Sequence, residues 1–288
     1  MKKMLKILKW ILIVIIIAAV VLIIKVIHDQ KLQAEDQQNM VKTDEELIGE
    51  HFYLKRDGKE DVDLNLYTIN DGTAHPLIIN IHGGAFIAGD ADTLDSQSDR
   101  LSHDWNVNVV TVNYKLMKGD YTKQYAVDEI KDTVKYFIDH SNEYSVDIEK
   151  IYILGYSAGG YHAMASALQL HQEGIDVKGQ IICYGFLSDM MDQFSELYEE
   201  QKGTIPPALF ILAGDEPIGK SSMEYEEALR KCGVSTEVKT YDGAIHGFIE
   251  ENNPEYEKLH SHASMSPEQE TMARDAENYI KDWIGRNR

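Results

Sequence analysis

The chain has 288 residues, of which 43% are hydrophobic and 26% are charged, a composition typical of a globular protein with one sizeable core. Its formal net charge is −20 at pH 7, although residues 1–31 are net positive. Because phosphate contacts need a basic surface, this balance argues against nucleic acid as a partner.

An apolar stretch near the N-terminus predicts a membrane anchor. Residues 10–24 are all apolar, and lysines flank them on both sides. If those lysines reach toward the membrane surfaces, residues 5–27 span about 34 Å as a helix, enough to cross a hydrocarbon core of about 30 Å. We therefore expect an uncleaved single-span transmembrane helix within residues 1–28, with a cleaved signal peptide as the alternative.

The lysines also predict how the chain is oriented in the cell membrane. Four of them precede the span and only Lys25 follows it closely, so the positive-inside rule places the N-terminus in the cytoplasm. Residues 29–46 are polar and are expected to form a stalk. Residues 47–288 would then be a folded domain on the extracytoplasmic side, or a secreted domain if the leader were cleaved.

Beyond the stalk, the hydrophobic pattern predicts two strands and then strands that alternate with helices. The first two strands are joined by Asp57-Gly58, which favours a hairpin turn. Alternation after such an antiparallel start predicts an α/β fold with a mostly parallel sheet covered on both faces. The predicted strands are 50–56, 62–69, 76–81, 107–114, 151–154, 177–184, 208–213 and 236–241. The predicted helices are 94–104, 125–140, 161–168, 224–232 and 267–284.

Residues 155–159 read Gly-Tyr-Ser-Ala-Gly, between a predicted strand and the helix that follows it. A G-x-S-x-G turn in that context holds its serine in a strained backbone conformation, so the positions two before and two after it must be nearly free of side chains. Gly155 and Gly159 meet that need. Ser157 is therefore the candidate nucleophile.

A serine hydroxyl needs a base to take its proton, and the base needs an acid to orient it. His246 lies in a glycine-containing loop just after the last predicted strand, at the same carboxyl edge of the sheet as Ser157. The loop after Ala213 supplies two carboxylates, Asp215 and Glu216. The sequence thus offers a base and two candidate acids in loops that can meet the serine.

An attacked carbonyl develops negative charge, which two or three backbone N–H donors can stabilise if they point at one place. Ala158 supplies one such donor, because it opens the helix behind the serine and its N–H has no helical partner. Gly83 and Gly84 can bring a second loop close because neither carries a side chain. These three residues are the candidate oxyanion hole.

Three motifs together resemble the α/β-hydrolase esterases, most closely their hormone-sensitive-lipase-like and feruloyl- and acetyl-esterase-like branches. The motifs are His-Gly-Gly-Ala-Phe at 82–86, Gly-Tyr-Ser-Ala-Gly-Gly at 155–160 and Tyr-Asp-Gly-Ala-Ile-His-Gly-Phe at 241–248. The resemblance covers roughly residues 50–286 and implies an α/β-hydrolase fold with an eight-stranded, mostly parallel sheet. It also implies hydrolysis of carboxylic esters through an acyl-enzyme, without a cofactor or a metal.

The resemblance implies a role for each candidate residue. Ser157 takes the position of the nucleophile and His246 that of the base. The acid in these families is usually an Asp directly before a Pro, and in Ala-Gly-Asp-Glu-Pro at 213–217 that slot holds Glu216. Asp215 is the alternative acid. The implied oxyanion donors are Gly83, Gly84 and Ala158.

One departure from the lipase-like relatives bears on the substrate. Many of those relatives carry a helical cap built partly from an N-terminal extension, where this chain has the predicted span and stalk. Only Gly185–Thr204 is available as a small lid. We therefore expect an open pocket for short acyl groups such as acetyl, carried by a small molecule or by a polymer outside the cell.

Two other functions stay open on the sequence alone. A serine peptidase of the prolyl-oligopeptidase type shares the fold and the serine turn, but usually has a large extra domain for which this chain has no room. A non-catalytic binding module on a hydrolase fold would not need the full set of candidate residues. Cys183 and Cys232 are expected to be buried free thiols, although the predicted compartment would allow one disulfide.

Overall fold

The computed structural model describes residues 21–287 apart from 23, 26, 188–203, 215 and 261–264. The strands are β1 (Glu50–Leu54), β2 (Val62–Tyr67), β3 (His75–Ile81), β4 (Asn108–Asn113), β5 (Val146–Tyr156), β6 (Gly179–Cys183), β7 (Ala208–Ala213) and β8 (Thr236–Tyr241). They form one sheet in the order β1-β2-β4-β3-β5-β6-β7-β8. The pairs β1–β2 and β2–β4 are antiparallel and the others are parallel. The predicted α/β fold with an eight-stranded, mostly parallel sheet is confirmed.

The α-helices of the described residues are α1 (residues 21–40, with 23 and 26 outside the described residues), α2 (Asp95–Trp105), α3 (Lys123–Asp139), α4 (Ala158–Gln172), α5 (Gly219–Lys231) and α6 (Pro267–Arg286). They pack on both faces of the sheet. Successive side chains of a strand point to opposite faces, so each face has apolar side chains for the helices to cover. In β5, Ile151 and Ile153 pack with α3 and α4. Tyr152 and Leu154 pack with α2 and α6 on the other face.

Two elements begin five residues earlier than the hydrophobic pattern predicts. β5 begins at Val146, which pairs with His75 of β3, and the first part of this strand is rich in polar residues. α5 begins at Gly219, and in its first turn the hydroxyl of Ser222 donates to the carbonyl oxygen of Gly185 at 2.8 Å. In both places, pairing with distant residues outweighs the local pattern.

The interior of the domain depends on apolar packing rather than on cross-links. Cys183 at the end of β6 and Cys232 directly after α5 are buried and are not joined by a disulfide, as expected. Strands β3 and β7 are buried along their whole length. Burial of apolar surface stabilises a fold by about 25 cal/mol per Å², so these two buried strands hold the loops at their carboxyl ends in fixed positions.

No helix in the described ranges is both long and apolar enough to span a bilayer. The predicted transmembrane helix within residues 1–28 falls largely on residues outside those ranges. The predicted stalk, residues 29–46, is helical as far as residue 40. Its second half packs against the domain: Asp36 Oδ1 accepts hydrogen bonds from His260, and Gln37 Nε2 donates to the carbonyl oxygen of Gly89 at 3.0 Å.

Candidate active site

Ser157 lies at a sharp turn between Tyr156, the last residue of β5, and Ala158, the first residue of α4. Its φ of 51° and ψ of −114° form a conformation that costs an L-residue about 1–3 kcal/mol. A Cβ at Gly155 would lie only 2.1 Å from the carbonyl oxygen of Gly159, so the turn closes only around glycine. The structure therefore contains the strand, turn and helix that a nucleophilic serine needs.

Three of the predicted site residues meet in one line of hydrogen bonds. His246 Nε2 lies 2.9 Å from Ser157 Oγ, and His246 Nδ1 lies 2.5 Å from Glu216 Oε2. When Nδ1 carries the ring proton and donates a hydrogen bond to the carboxylate, Nε2 is unprotonated and can accept the serine proton. The three residues follow β5, β7 and β8, so the line forms because parallel strands end at the same edge of the sheet.

Glu216 is the carboxylate in contact with the base, and its side chain is 11% exposed. Its second oxygen, Oε1, is buried without a hydrogen-bond partner in the part of the chain that the structure describes. Asp215, the alternative acid, lies outside the described residues. When just one oxygen of a buried carboxylate has a hydrogen-bond partner, a positive charge on that partner stabilises the carboxylate. Glu216 therefore favours the imidazolium form of His246.

The pKa of His246 is raised above its usual value of about 6.5, although burial by itself would lower it. The hydrogen bond to Glu216 opposes the effect of burial most strongly. The negative charges of Glu250, Glu216 and Glu251 add to it. The site thus stabilises the charged imidazolium that forms when the base takes a proton.

Of the three predicted oxyanion donors, Gly83 lies beside the serine, Ala158 follows it directly in the chain, and Gly84 is the next residue after Gly83. A Cβ at Gly83 would lie 3.4 Å from the Cβ of Ser157, so the loop backbone passes directly beside the nucleophile. Gly84 has a φ of 117°, and a Cβ there would lie 1.9 Å from the carbonyl oxygen of Ala88. The N–H of Ala158 has no partner within α4, because this residue is the first of the helix. Backbone donors fixed in this way can stabilise an oxyanion without moving.

Two buried aromatic side chains fix the Gly83 loop, a role that the sequence analysis did not assign. His82 Nδ1 donates to the carbonyl oxygen of Gly83 at 2.6 Å, and the hydroxyl of Tyr114 donates to the same oxygen at 3.3 Å. The two rings stack with their centroids 4.3 Å apart. Burial lowers the pKa of His82 to about 4, so its ring is neutral at pH 7. Its position just before the two glycines was the only signal in the sequence.

A further ionisable group beside the site was not predicted. Glu250 comes four residues after His246 and is 3% exposed. The hydroxyl of Tyr184 donates a hydrogen bond to its carboxylate. Burial raises the pKa of Glu250 to about 7. The spacing from the histidine was a signal in the sequence, but two adjacent glutamates, 250 and 251, gave no indication of which one faces the interior.

The predicted lid, Gly185–Thr204, is described only at its two ends. Residues 188–203 lie outside the described residues, and with them most of the apolar side chains expected to line the lid. At the near end, the N–H of Phe186 donates to the carbonyl oxygen of Ser157 at 3.3 Å. The side chain of Phe186 is 38% exposed. The backbone of Phe186 therefore lies beside that of Ser157 where this segment begins.

A family model described as an alpha/beta hydrolase fold matches residues 78–204 and 188–250. The match includes the Gly83 loop, the serine turn and the loops that carry Glu216 and His246. The chain belongs to this α/β-hydrolase family. The resemblance inferred from the three sequence motifs is thereby confirmed.

Named relatives of this α/β-hydrolase are esterases. The chain is 27% identical over 227 residues to an acetyl esterase of Salmonella schwarzengrund, covering 66% of this chain and 70% of that protein. It is 24% identical over 222 residues to an arylesterase of Saccharolobus solfataricus, covering 65% and 72%.

Solved structures share the fold over nearly the whole chain. A hyperthermophilic esterase from the archaeon Pyrobaculum calidifontis superposes with a TM-score of 0.68 and 23% identity, covering 90% of this chain and 92% of that one. EstE1, a thermophilic carboxylesterase cloned from a metagenomic library, gives a TM-score of 0.70 and 20% identity, covering 90% and 95%. At these identities the likeness establishes the α/β-hydrolase fold.

Proposed function

We propose that this protein is a serine carboxylesterase that works through an acyl-enzyme. The observation that carries the proposal is the line of hydrogen bonds from Ser157 through His246 to Glu216, placed at a strained strand–helix turn. The relatives named acetyl esterase and arylesterase support it. The three backbone donors beside the serine supply the electrostatic part of the same chemistry.

In the first half-reaction, His246 Nε2 takes the proton of Ser157 while Oγ attacks the ester carbonyl carbon. The carbonyl oxygen becomes an oxyanion facing the three backbone donors, and Glu216 stabilises the imidazolium. The bond to the alkoxy group then breaks, and His246 passes its proton to the leaving alcohol. Water attacks the acyl-serine with the same proton transfers, which releases the carboxylic acid and restores Ser157.

Within this activity we propose short acyl groups, acetyl above all, as the substrates. The relative named acetyl esterase supports this choice. So does the small size of the predicted lid, Gly185–Thr204. The ester would be carried by a small molecule or by a polymer outside the cell.

We also propose that the enzyme is anchored in the cell membrane with its domain on the extracytoplasmic side. The lysine-flanked apolar residues 10–24 support this. The contacts of Asp36 and Gln37 with the domain support a short connection, because residues 28–36 of a helix rise only about 14 Å. The full chain should stay with the membrane after an alkaline carbonate wash, whereas a chain lacking residues 1–28 should be released.

The activity is tested with the full chain in detergent, using p-nitrophenyl acetate, butyrate and octanoate. Ser157→Ala should lower kcat by roughly 10⁴-fold or more. Ser166→Ala is the matched control, since this serine lies in the same helix α4 and its buried Oγ has no partner among the described residues. It should keep the parental rate.

Each outcome of this assay has a distinct meaning. Equal rates for the parent and Ser157→Ala would show that the serine mechanism is wrong. Faster turnover of octanoate than of acetate would exclude the short-acyl preference. A folded parent that hydrolyses none of the three esters and does not react with a fluorophosphonate would favour a binding module. Cleavage of a prolyl peptide in preference to the esters would favour the peptidase.

A further inference from the structure

Glu250 is a buried acidic group that the mechanism above does not use. It lies at the reacting centre: a Cβ at Gly83 would be 3.3 Å from Glu250 Oε1 and 3.4 Å from the Cβ of Ser157. The carboxyl group and the nucleophile thus border the same side of Gly83. A carboxyl group is costly to bury unless it is neutral or interacts with a partner, so its position calls for a partner at the site.

Tyr184 connects this carboxyl group with the base. Its hydroxyl donates to Glu250, and its ring meets the ring of His246 edge-on, with the centroids 5.2 Å apart. Tyr184 has a φ of 40°, in the left-handed region that residues other than glycine rarely adopt. Its N–H donates to the carbonyl oxygen of Ile211 at 2.7 Å, which holds it there. Strain of this kind collects at functional sites.

One turn of chain brings Glu250 to the same side as His246. The residues between them are linked by turn hydrogen bonds, from Phe248 N to Ile245 O at 3.3 Å and from Glu251 N to Gly247 O at 2.9 Å. In such a turn, residues four apart lie on one face. The fold therefore presents two carboxyl groups to the base, one bonded to Nδ1 and one reached through Tyr184.

We propose that Glu250 is a positioning residue of the catalytic site, which together with Tyr184 places a second negative charge beside His246 and stabilises the imidazolium formed during acylation of Ser157. This inference rests on the proposed serine mechanism. Glu216 orients the ring of His246 through a hydrogen bond. Glu250 stabilises the positive charge of that ring by electrostatic attraction through the protein interior, where the dielectric constant is low. Removing the charge should therefore make His246 a weaker base.

The charge of Glu250 depends on the ionisable groups around it. Burial raises the pKa of Glu250 to about 7, and the charge of Glu251 adds to that rise. The hydrogen bond from Tyr184 and the charge of His246 lower it. Each of Glu250 and His246 thus favours the charged form of the other, so the two groups titrate as a coupled pair. The other ionisable groups facing it stay neutral at pH 7 because burial raises their pKa values: Tyr156, Cys183 and Tyr256.

The test compares the pH dependence of kcat/KM for p-nitrophenyl acetate between the full chain and Glu250→Gln. Glutamine keeps the shape of the side chain and an acceptor for Tyr184, but not the charge. The acidic limb of the profile should move to lower pH by about 0.5–1 unit, and the plateau should fall about tenfold. Glu257→Gln, an exposed neighbour in the same stretch of chain, is the matched control and should leave the profile in place.

A second variant keeps the test decisive if Glu250→Gln folds poorly. Tyr184→Phe leaves the carboxyl group but removes its hydrogen bond, so Glu250 holds its proton to higher pH and the acidic limb should shift in the same direction by a smaller amount. Acidic limbs that coincide with the parental one in both variants would overturn the proposal. If the parent itself hydrolyses no ester, the serine mechanism has failed rather than the role of Glu250.

Discussion

A Cβ placed at Gly159 would lie 2.3 Å from the carbonyl oxygen of Ile81, so helix α4 and the end of strand β3 touch backbone to backbone. This contact joins the two halves of the oxyanion site. Ala158 belongs to the helix, and Gly83 follows the strand by two residues. The distance between their donors is therefore fixed by a position where no side chain fits.

Gly159→Ala should force helix and strand apart. We expect the free energy of unfolding to fall by about 2–3 kcal/mol, and kcat to fall roughly 100-fold or more as the oxyanion donors separate. Urea unfolding and ester hydrolysis measure the two effects. Gly285→Ala is the control, because a Cβ there meets open space within helix α6 and should stabilise by about 0.5–1 kcal/mol. Equal changes in unfolding free energy and kcat for the two variants would contradict the steric argument.

The identity of the acid can be decided by a pair of amide substitutions. Glu216→Gln keeps the shape of the side chain but removes the charge next to His246 Nδ1, so kcat should fall about 10²–10⁴-fold. Asp215→Asn should leave most of the activity. The reverse order would assign the acid to Asp215. Circular dichroism of both variants checks that the loss is not one of folding.

The pH dependence of activity follows from the base. His246 must be neutral to accept the serine proton, and its raised pKa means that kcat/KM should be half-maximal above pH of about 6.5 and level off at higher pH. Glu216→Gln should move this midpoint to lower pH. A rate that stays constant between about pH 5.5 and 8 would exclude His246 as the base.

Stability should respond to His246 in the opposite sense. A histidine whose pKa is raised by folding adds stability that is fully present below its unfolded pKa of about 6.5. That contribution is lost as the pH rises through the folded value. Urea unfolding at several pH values, with the parent and His246→Gln compared, isolates this contribution as a difference that shrinks toward higher pH.

The sequence predicted those parts of the site that depend on local pattern. Ser157 and Gly159 follow from the turn motif, whereas the choice of Glu216 over Asp215 depended on the resemblance to esterases whose acid directly precedes a proline. The role of Glu250 could not be predicted, because its burial results from contact with Tyr184, 66 residues earlier in the chain. The early start of β5 also depends on a contact with residues distant in the chain, because the first residue of this polar stretch pairs with the neighbouring strand β3.

Lys42, in the predicted stalk, forms two ion pairs that should matter for stability. Lys42 Nζ lies 2.6 Å from Asp95 and 2.8 Å from Glu255, and these two carboxylate side chains are 0% and 7% exposed. Lys42→Met would leave both carboxylates buried without their cation, which should cost about 3–5 kcal/mol. Lys31→Met is the matched control: its partner Glu35 and Lys31 itself are exposed, so the cost should stay below about 1 kcal/mol.

Urea unfolding of the full chain in detergent measures both lysine variants, and limited proteolysis locates the change. In Lys42→Met, cleavage between residues 29 and 46 should become faster while the domain itself stays resistant, because the segment loses its buried cation and keeps weaker contacts such as those of Gln37 and Asp36. A loss of stability equal to that of Lys31→Met would mean that the ion pairs of Lys42 add little to the stability of the fold. The larger loss would mean that the residues following helix α1 are part of the folded domain.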